Sequence, residues 1–213
     1  MELTPGEVMV AQAAREIADF ERVFVGMRLP LIAFVVAKRT HAPNAIGLFE
    51  LGVVRDAPAP ELLYTMGDTP NVRGATWCAR TLDLMGLLQR GEGEAGFIGG
   101  AEIDIHGNLN TTAIGPDRAH PLTQLPGSGG GADIASLARR LIVIMPHDRR
   151  RLRERVDFVT SPGYGTGAGW RERVGLPRGG PSVLITTLGV FRFVDGVATL
   201  VSYHPGASVE EVR

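Results

Sequence analysis

The order of the first three apolar segments constrains this chain more than anything else in it. Thr4-Pro5-Gly6-Glu7 reads as a helix start: Thr4 caps, Pro5 fits the first helical position, and Glu7 completes a capping box. The helix is predicted to run to about Asp19. Glu21-Arg22-Val23-Phe24-Val25-Gly26 then has the content of a short strand. Pro30 opens a second apolar helix ending near Thr40, and Ala45 to Glu50 reads as a second strand. Two strands joined through a helix cannot form a hairpin; they pair in parallel with the helix as crossover. The fold class expected is α/β: a single-domain, open, mostly parallel sheet flanked by helices.

The remaining segments fit that class. Residues 55 to 75 read as irregular, with Pro58, Pro60 and Pro70. Thr81 to Gln89 is predicted helical despite Gly86. Ala95 to Gly115 has a hairpin-like pattern with its turn at His106-Gly107-Asn108. Residues 116 to 131 form a Pro/Gly-rich loop, Ala132 to Arg140 a helix, and Leu141 to Met145 a buried strand. Pro181 to Phe193 and Ala198 to Tyr203 read as two more strands. No linker or repeat interrupts the 213 residues, which suffice for one domain with a real core, spanning 1–213. Ser208-Val209-Glu210-Glu211 is another capping box, so the sequence reads as though a C-terminal helix were cut short.

Charge and cysteine usage exclude several classes. A net charge of −1 favours neither nucleic acid nor anionic membrane. The single cysteine, Cys78, rules out an internal disulfide and suits the cytoplasm. The N-terminus, MELTPGEVMV, is no signal peptide, and no apolar run reaches membrane-spanning length. Arg149 to Arg155 is a basic run without interleaved aromatics, read as a solvated face or a partner surface rather than a nucleic-acid site. The five histidines show no ligand spacing, so no metal is expected.

Several residues carry chemistry with two readings each. Glu50 is the only charge in Gly47-Leu48-Phe49-Glu50-Leu51-Gly52-Val53-Val54. A carboxylate at a strand end can face a ligand crevice, or be the last exposed residue of its strand. Pro126-Gly127-Ser128-Gly129-Gly130-Gly131-Ala132 runs straight into a helix. Its N–H groups can hold a phosphate or an oxyanion, or the stretch is a tight turn. Ser161 to Gly169 carries four glycines at alternate positions; a flexible surface loop is favoured over close backbone approach. Cys78 reads as a partly buried free thiol rather than a nucleophile. Asp104, Asn108 and Asn110 read as turn formers on their hairpin.

Taken in order, the motifs are Glu50-Leu51-Gly52, GGAEIDIHGNLNTT (99–112), LPGSGGGADIASLARR (125–140), VDFVTSPG (156–163), LGVF (188–191) and HPG (204–206). This series resembles the β subunit of class I CoA-transferases, nearest the glutaconate CoA-transferase type, over most of the chain. The resemblance implies the CoA-transferase fold that sugar-phosphate isomerases share in outline (NagB/RpiA-like). It implies that Glu50 is a covalent nucleophile toward acyl-CoA, and that Gly129, Gly130 and the adjoining Gly131 serve an oxyanion or CoA-binding role. Arg28, Asn108 and Asn110 are candidate substrate-binding residues, Arg28 because its cation could meet a substrate carboxylate. The resemblance implies an α subunit as partner in a hetero-oligomer, of α2β2 form or larger. Acyl-CoA and a carboxylic acid would be the substrates, with no cofactor beyond coenzyme A itself as substrate. One departure stands out. The family often shows Gly-x-Gly-x-Pro after the first strand, whereas this chain has Gly26-Met27-Arg28-Leu29-Pro30. Relatives on this scaffold also hydrolyse or decarboxylate CoA esters, several of them with the glutamate replaced. A CoA-ester hydrolase or decarboxylase is therefore the alternative activity. A non-catalytic effector-binding module is the reading from outside enzymology.

Overall fold

Thr4 begins the first helix as its sequence demands. Its Oγ1 accepts the Glu7 N–H at 3.3 Å, and the Glu7 carboxylate accepts the Thr4 N–H at 2.7 Å. The computed structural model describes residues 3–176 and 178–212. The chain divides into two compact units, one up to Phe97 and one from Ile98 onward.

The first unit contains α1 (Pro5–Arg15), β1 (Arg22–Phe24), α2 (Leu29–Thr40), β2 (Ile46–Phe49) and β3 (Val53–Arg55). A helical turn α3 (Thr69–Val72), β4 (Trp77–Cys78), α4 (Thr81–Gln89) and β5 (Ala95–Ile98) complete it. Its strands lie in the order β5-β1-β2-β3-β4. The crossover expectation holds, since β1 pairs in parallel with β2 (Val23 beside Gly47) and with β5 (Val23 beside Ala95). The outer strands β3 and β4 run antiparallel. α1 stops at Arg15 rather than Asp19. The Glu16 and Ile17 N–H groups reach back three residues to Ala13 and Ala14, and Glu21 Oε2 captures the Ala18 N–H at 2.9 Å. Gly47 lets α2 press onto the sheet: a Cβ there would meet the Phe34 ring at 2.8 Å. Phe34 and Phe49 meet edge to face at 6.1 Å, both almost fully buried. Each contributes about 1.5–3 kcal/mol by burial.

Two buried cations tie down the irregular segments of this unit. Lys38 donates to the Ala45 carbonyl at 2.9 Å and to the carbonyls of Pro43 and Asp56. Arg55 donates to Asn71 O at 2.7 Å, Ala57 O at 3.0 Å, Arg73 O at 3.1 Å and Pro58 O at 3.2 Å. Burial pushes the pKa of both groups down.

The second unit contains β6 (Glu102–Asp104), β7 (Leu109–Asn110), β8 (Ala113–Ile114), β9 (Thr123–Gln124), α5 (Gly131–Leu137) and β10 (Arg140–Ile144). β11 (Leu152–Arg153), α6 (Trp170–Arg173), β12 (Pro181–Ile185), β13 (Gly189–Val194), β14 (Val197–Tyr203) and α7 (Val209–Val212) follow. β10 and β12 pair in parallel, and β13 and β14 continue antiparallel in the order β14-β13-β12-β10. Two expectations change here. The segment 181–193 is two strands, because Thr186 turns the chain: its N–H donates to Gly189 O at 2.9 Å and its Oγ1 accepts the Gly189 N–H at 3.1 Å. The hairpin expected over 95–115 is confined to β6 and β7, while Ala95–Ile98 joins β1. Ser208 and Glu211 form the expected capping box before α7. No helix among the described residues is long and apolar enough to cross a membrane.

Arg171, 5 % exposed, is the buried cation of this unit among the described residues. It donates to Arg178 O at 2.7 Å, Gly163 O at 3.0 Å, Ala135 O at 3.1 Å, Ser136 O at 3.2 Å and Pro162 O at 3.3 Å. Removing it strands buried carbonyls. Arg171→Met is expected to cost about 3 kcal/mol of stability in chemical denaturation. A loss below about 0.5 kcal/mol would show that water replaces the guanidinium.

Candidate active site

Glu50 is not a strand residue, which answers how an apolar strand tolerates it. β2 ends at Phe49, and Glu50-Leu51-Gly52 form a three-residue turn across which Phe49 pairs with Val53. The Gly52 N–H closes the turn on Phe49 O at 2.9 Å, and Gly52 O accepts the Ala79 N–H at 2.7 Å. Gly52 has φ +104°, and a Cβ on it would lie 2.1 Å from Ala79 O. The Glu-x-Gly spacing thus has a geometric cause: only glycine passes beneath Ala79 and lets the chain reverse two residues after the carboxylate. Phe49 is buried, Leu51 is 56 % exposed, and Glu50 is half-buried between them. The carboxylate stands at the carboxyl end of a parallel strand, the edge where open α/β sheets bind ligands.

Arg28 occupies the turn at the carboxyl end of the neighbouring strand β1. It is exposed, sits at the N-cap of α2 with φ +64° and ψ −115°, and makes no side-chain capping bond.

In the second unit the glycine-rich loop turns with φ +96° at Gly127 and +50° at Gly129. The Gly131 N–H is already committed to Ser128 O at 2.8 Å, and Gly130 O accepts the Ile134 N–H at 2.9 Å. The Gly129 N–H has no partner among the described residues, and Gly129 is exposed. Of the three glycines, Gly131 serves packing: a Cβ there would come within 2.8 Å of Ile98 Cδ1 and 3.3 Å of Ser161 Oγ. The helix behind this loop starts and ends earlier than expected. Ala138 is extended, and β10 begins at Arg140.

Asn108 and Asn110 are buried, and their amides are used inside the chain. Asn108 Oδ1 accepts the N–H groups of Gly163 at 3.0 Å and Gly165 at 3.1 Å, while its Nδ2 donates to Asp104 Oδ2 at 2.9 Å and Gly165 O at 2.8 Å. Asn110 Nδ2 donates to Glu102 Oε2 and Ala113 O, each at 2.7 Å, and its Oδ1 accepts the Thr112 N–H at 3.0 Å. Both side chains pin the hairpin, leaving little hydrogen-bonding capacity for a ligand. The 161–169 segment is correspondingly not a loose surface loop. A Cβ on Gly163 would lie 2.3 Å from the Gly107 carbonyl carbon, and one on Gly165 would lie 2.0 Å from the Trp170 ring.

Three arginines of the basic run are used locally. Arg150 binds Asp148 at 2.7 Å, holding that carboxyl down to about 2. Arg151 donates to Gly100 O at 3.2 Å, and Arg153 lies 3.5 Å from the buried Glu102. Cys78 is exposed on β4, not partly buried. Among the described residues no three His, Cys, Asp or Glu side chains are grouped to hold a metal ion. Two buried hydroxyls that the sequence did not mark out, Ser161 Oγ and Thr111 Oγ1, have no hydrogen-bond partner among the described residues.

The family model for coenzyme A transferase matches residues 7–213, and the chain belongs to that family. The B subunit of glutaconate CoA-transferase from Acidaminococcus fermentans is 36 % identical to it, over 98 % of this chain and 80 % of that one. The B subunit of 3-oxoadipate CoA-transferase from Pseudomonas knackmussii is 34 % identical, over 97 % and 80 %. Among solved structures, glutaconate coenzyme A-transferase from Acidaminococcus fermentans matches with a TM-score of 0.93 at 35 % identity, covering 99 % of this chain and 83 % of that one. The decarboxylase AibA/AibB matches with a TM-score of 0.84 at 31 % identity, covering 99 % and 82 %.

The turn geometry is directly testable. Gly52→Ala is expected to lower stability by about 2 kcal/mol or more, combining positive-φ strain with the Ala79 clash. Urea denaturation would check it; an unchanged midpoint would mean that the Ala79 carbonyl yields freely.

Proposed function

We propose that this chain is the β subunit of an acyl-CoA:carboxylate CoA-transferase in which Glu50 carries coenzyme A as a glutamyl thioester. The observation that carries this reading is the placement of Glu50: a half-buried carboxylate on a glycine-fixed turn at the carboxyl end of a parallel strand. The Glu50 carboxylate attacks the thioester carbonyl of acyl-CoA and expels the CoA thiolate, leaving a mixed anhydride. The thiolate then attacks the Glu50 carbonyl, releasing the free acid and leaving the glutamyl thioester. An acceptor carboxylate reverses both steps and departs as the new acyl-CoA. No proton needs to move, so the site requires an ionised nucleophile and donors for the oxygen that gains charge. The glycine loop has donor chemistry of that kind, its Gly129 N–H having no partner among the described residues.

Both curated relatives are named as the B member of a multi-subunit enzyme, which supports an α chain as partner, and we propose an α2β2 assembly in the cytoplasm. The acids in the relatives' names, glutaconate and 3-oxoadipate, are dicarboxylates, and dicarboxylic acyl groups are the substrates proposed here. The long CoA body supplies binding energy away from the reacting carbon. The similarity to a decarboxylase supports a second reading, turnover of a CoA ester on the same scaffold without transfer.

The deciding experiment uses the chain co-expressed with its α partner. The complex is incubated with a panel of acyl-CoAs without acceptor acid, reduced with borohydride, and mapped by mass spectrometry. A reduced adduct at Glu50 is expected; CoA release without it would favour hydrolysis or decarboxylation. Glu50→Ala is expected to lower transfer by at least ~10³-fold while the complex still folds. Gly129→Val is expected to depress kcat about 10²-fold or more, with a smaller change in KM.

A further inference from the structure

We infer that Arg28 determines acyl specificity, its guanidinium pairing with the distal carboxylate of a dicarboxylic acyl group whose other end reacts. The inference rests on the transferase reading for the identity of the reacting end, and on four observations for the rest.

Arg28 holds a backbone conformation that a side chain disfavours. With φ +64° and ψ −115° it lies outside the small left-handed region that other residues visit, in territory normally left to glycine. Among the described residues, two other non-glycine residues have positive φ, Phe20 and Asp195. Asp195 is explained by its place before Gly196 in the tight turn joining β13 to β14. Phe20 lies inside the turn that the Glu21 N–H closes on Ala18 O at 3.4 Å, whereas among the described residues no such turn bond closes across Arg28. The family pattern often has glycine at this position, which the backbone would favour, and this chain keeps arginine there at a cost.

Nothing within the unit uses the side chain. Arg28 is exposed, and its guanidinium makes no hydrogen bond or ion pair among the described residues. It does not cap α2, because arginine offers no acceptor for the helix N–H groups. Lys38, Arg55 and Arg171, by contrast, each work as an internal tie. A strained backbone carrying an unused cation is what a ligand-reading residue requires.

Its turn and that of Glu50 leave the same end of neighbouring strands. β1 and β2 are neighbours in parallel, and the Val25 N–H donates to Leu48 O at 2.9 Å where the two strands end. The turn of Arg28 leaves one strand three residues later, and Glu50 leaves the other two residues later. Neighbouring strands stand about 4.8 Å apart, on the scale of a short diacid. The two turns also expose Met27 (54 %) and Leu51 (56 %), apolar groups suited to the methylenes between two carboxylates. The planar fork of arginine matches a carboxylate in a bidentate pair, which lysine cannot reproduce.

The test compares glutarate with pentanoate, which replaces one carboxylate by a methyl at equal chain length. Equilibrium binding of both acids is measured by calorimetry on the αβ complex carrying Glu50→Ala, so that no turnover is needed. Rates with glutaryl-CoA and pentanoyl-CoA are measured on the complex with Glu50 intact. The complex is expected to prefer the diacid. Arg28→Gly is expected to cut that preference by on the order of tenfold to a hundredfold while raising the melting temperature, because glycine relieves the turn. Arg28→Lys is expected to restore only part of the preference. An Arg28→Gly complex that keeps the full diacid preference would overturn the inference, as would a complex with Arg28 in place that shows none. Absence of a Glu50 adduct would sink the transferase reading alone, since the binding comparison does not depend on it.

Discussion

The parallel pairing of β1 with both β2 and β5 is the constraint from which the candidate site follows. Parallel strands must all be entered from the same end, so each connection crosses back over a sheet face. All the carboxyl ends then emerge along one edge. The turn of Arg28 and the turn of Glu50 are neighbours for that reason, although 21 residues of chain lie between them. The crossover helix α2 sits close enough to fix both strands because Gly47 leaves room for Phe34. The residues that pack the sheet and the residues at its edge are thus set by one arrangement.

Buried cations do for the loops what the ladder does for the strands. An irregular segment carries carbonyls with no strand or helix partner, and burying them unpaired is costly. Lys38, Arg55 and Arg171 each gather several such carbonyls onto one side chain, with no buried carboxylate as counter-charge in those hydrogen bonds. Each cation carries enough donors to serve carbonyls from several stretches at once. This is how Pro- and Gly-rich stretches that look loose become fixed features. Asn108 does the same from the opposite chemistry, taking two glycine N–H groups on one oxygen.

Much of this was legible in the residues. The capping boxes at Thr4 and Ser208, the helix Thr81–Gln89, and the strand–helix–strand start follow from local chemistry that acts within a few residues. The turn at Thr186 was not legible, because Thr-Thr-Leu-Gly lacks the Pro, Asn-Gly or Asp-Gly signals that mark reversals, and its hydroxyl makes the turn only when folded. The place of Ala95–Ile98 was also hidden. Hydrophobic pattern says that a strand exists, but not which neighbour it pairs with.

The candidate site divides along the same line. By itself, the sequence determined that a lone carboxylate ends an apolar strand two residues before a glycine, and that a glycine-rich loop precedes a helix; both are statements about neighbours in the chain. Only the tertiary structure decided that Glu50 stands on a turn rather than inside the strand, and that Gly52 is required by the carbonyl of Ala79. It also decided that Gly131 is a packing glycine, and that Asn108 and Asn110 spend their amides inside the protein. Those outcomes depend on atoms brought together from distant positions, and residue identity alone carries no information about which carbonyl will lie 2.1 Å from a Cβ that is not there.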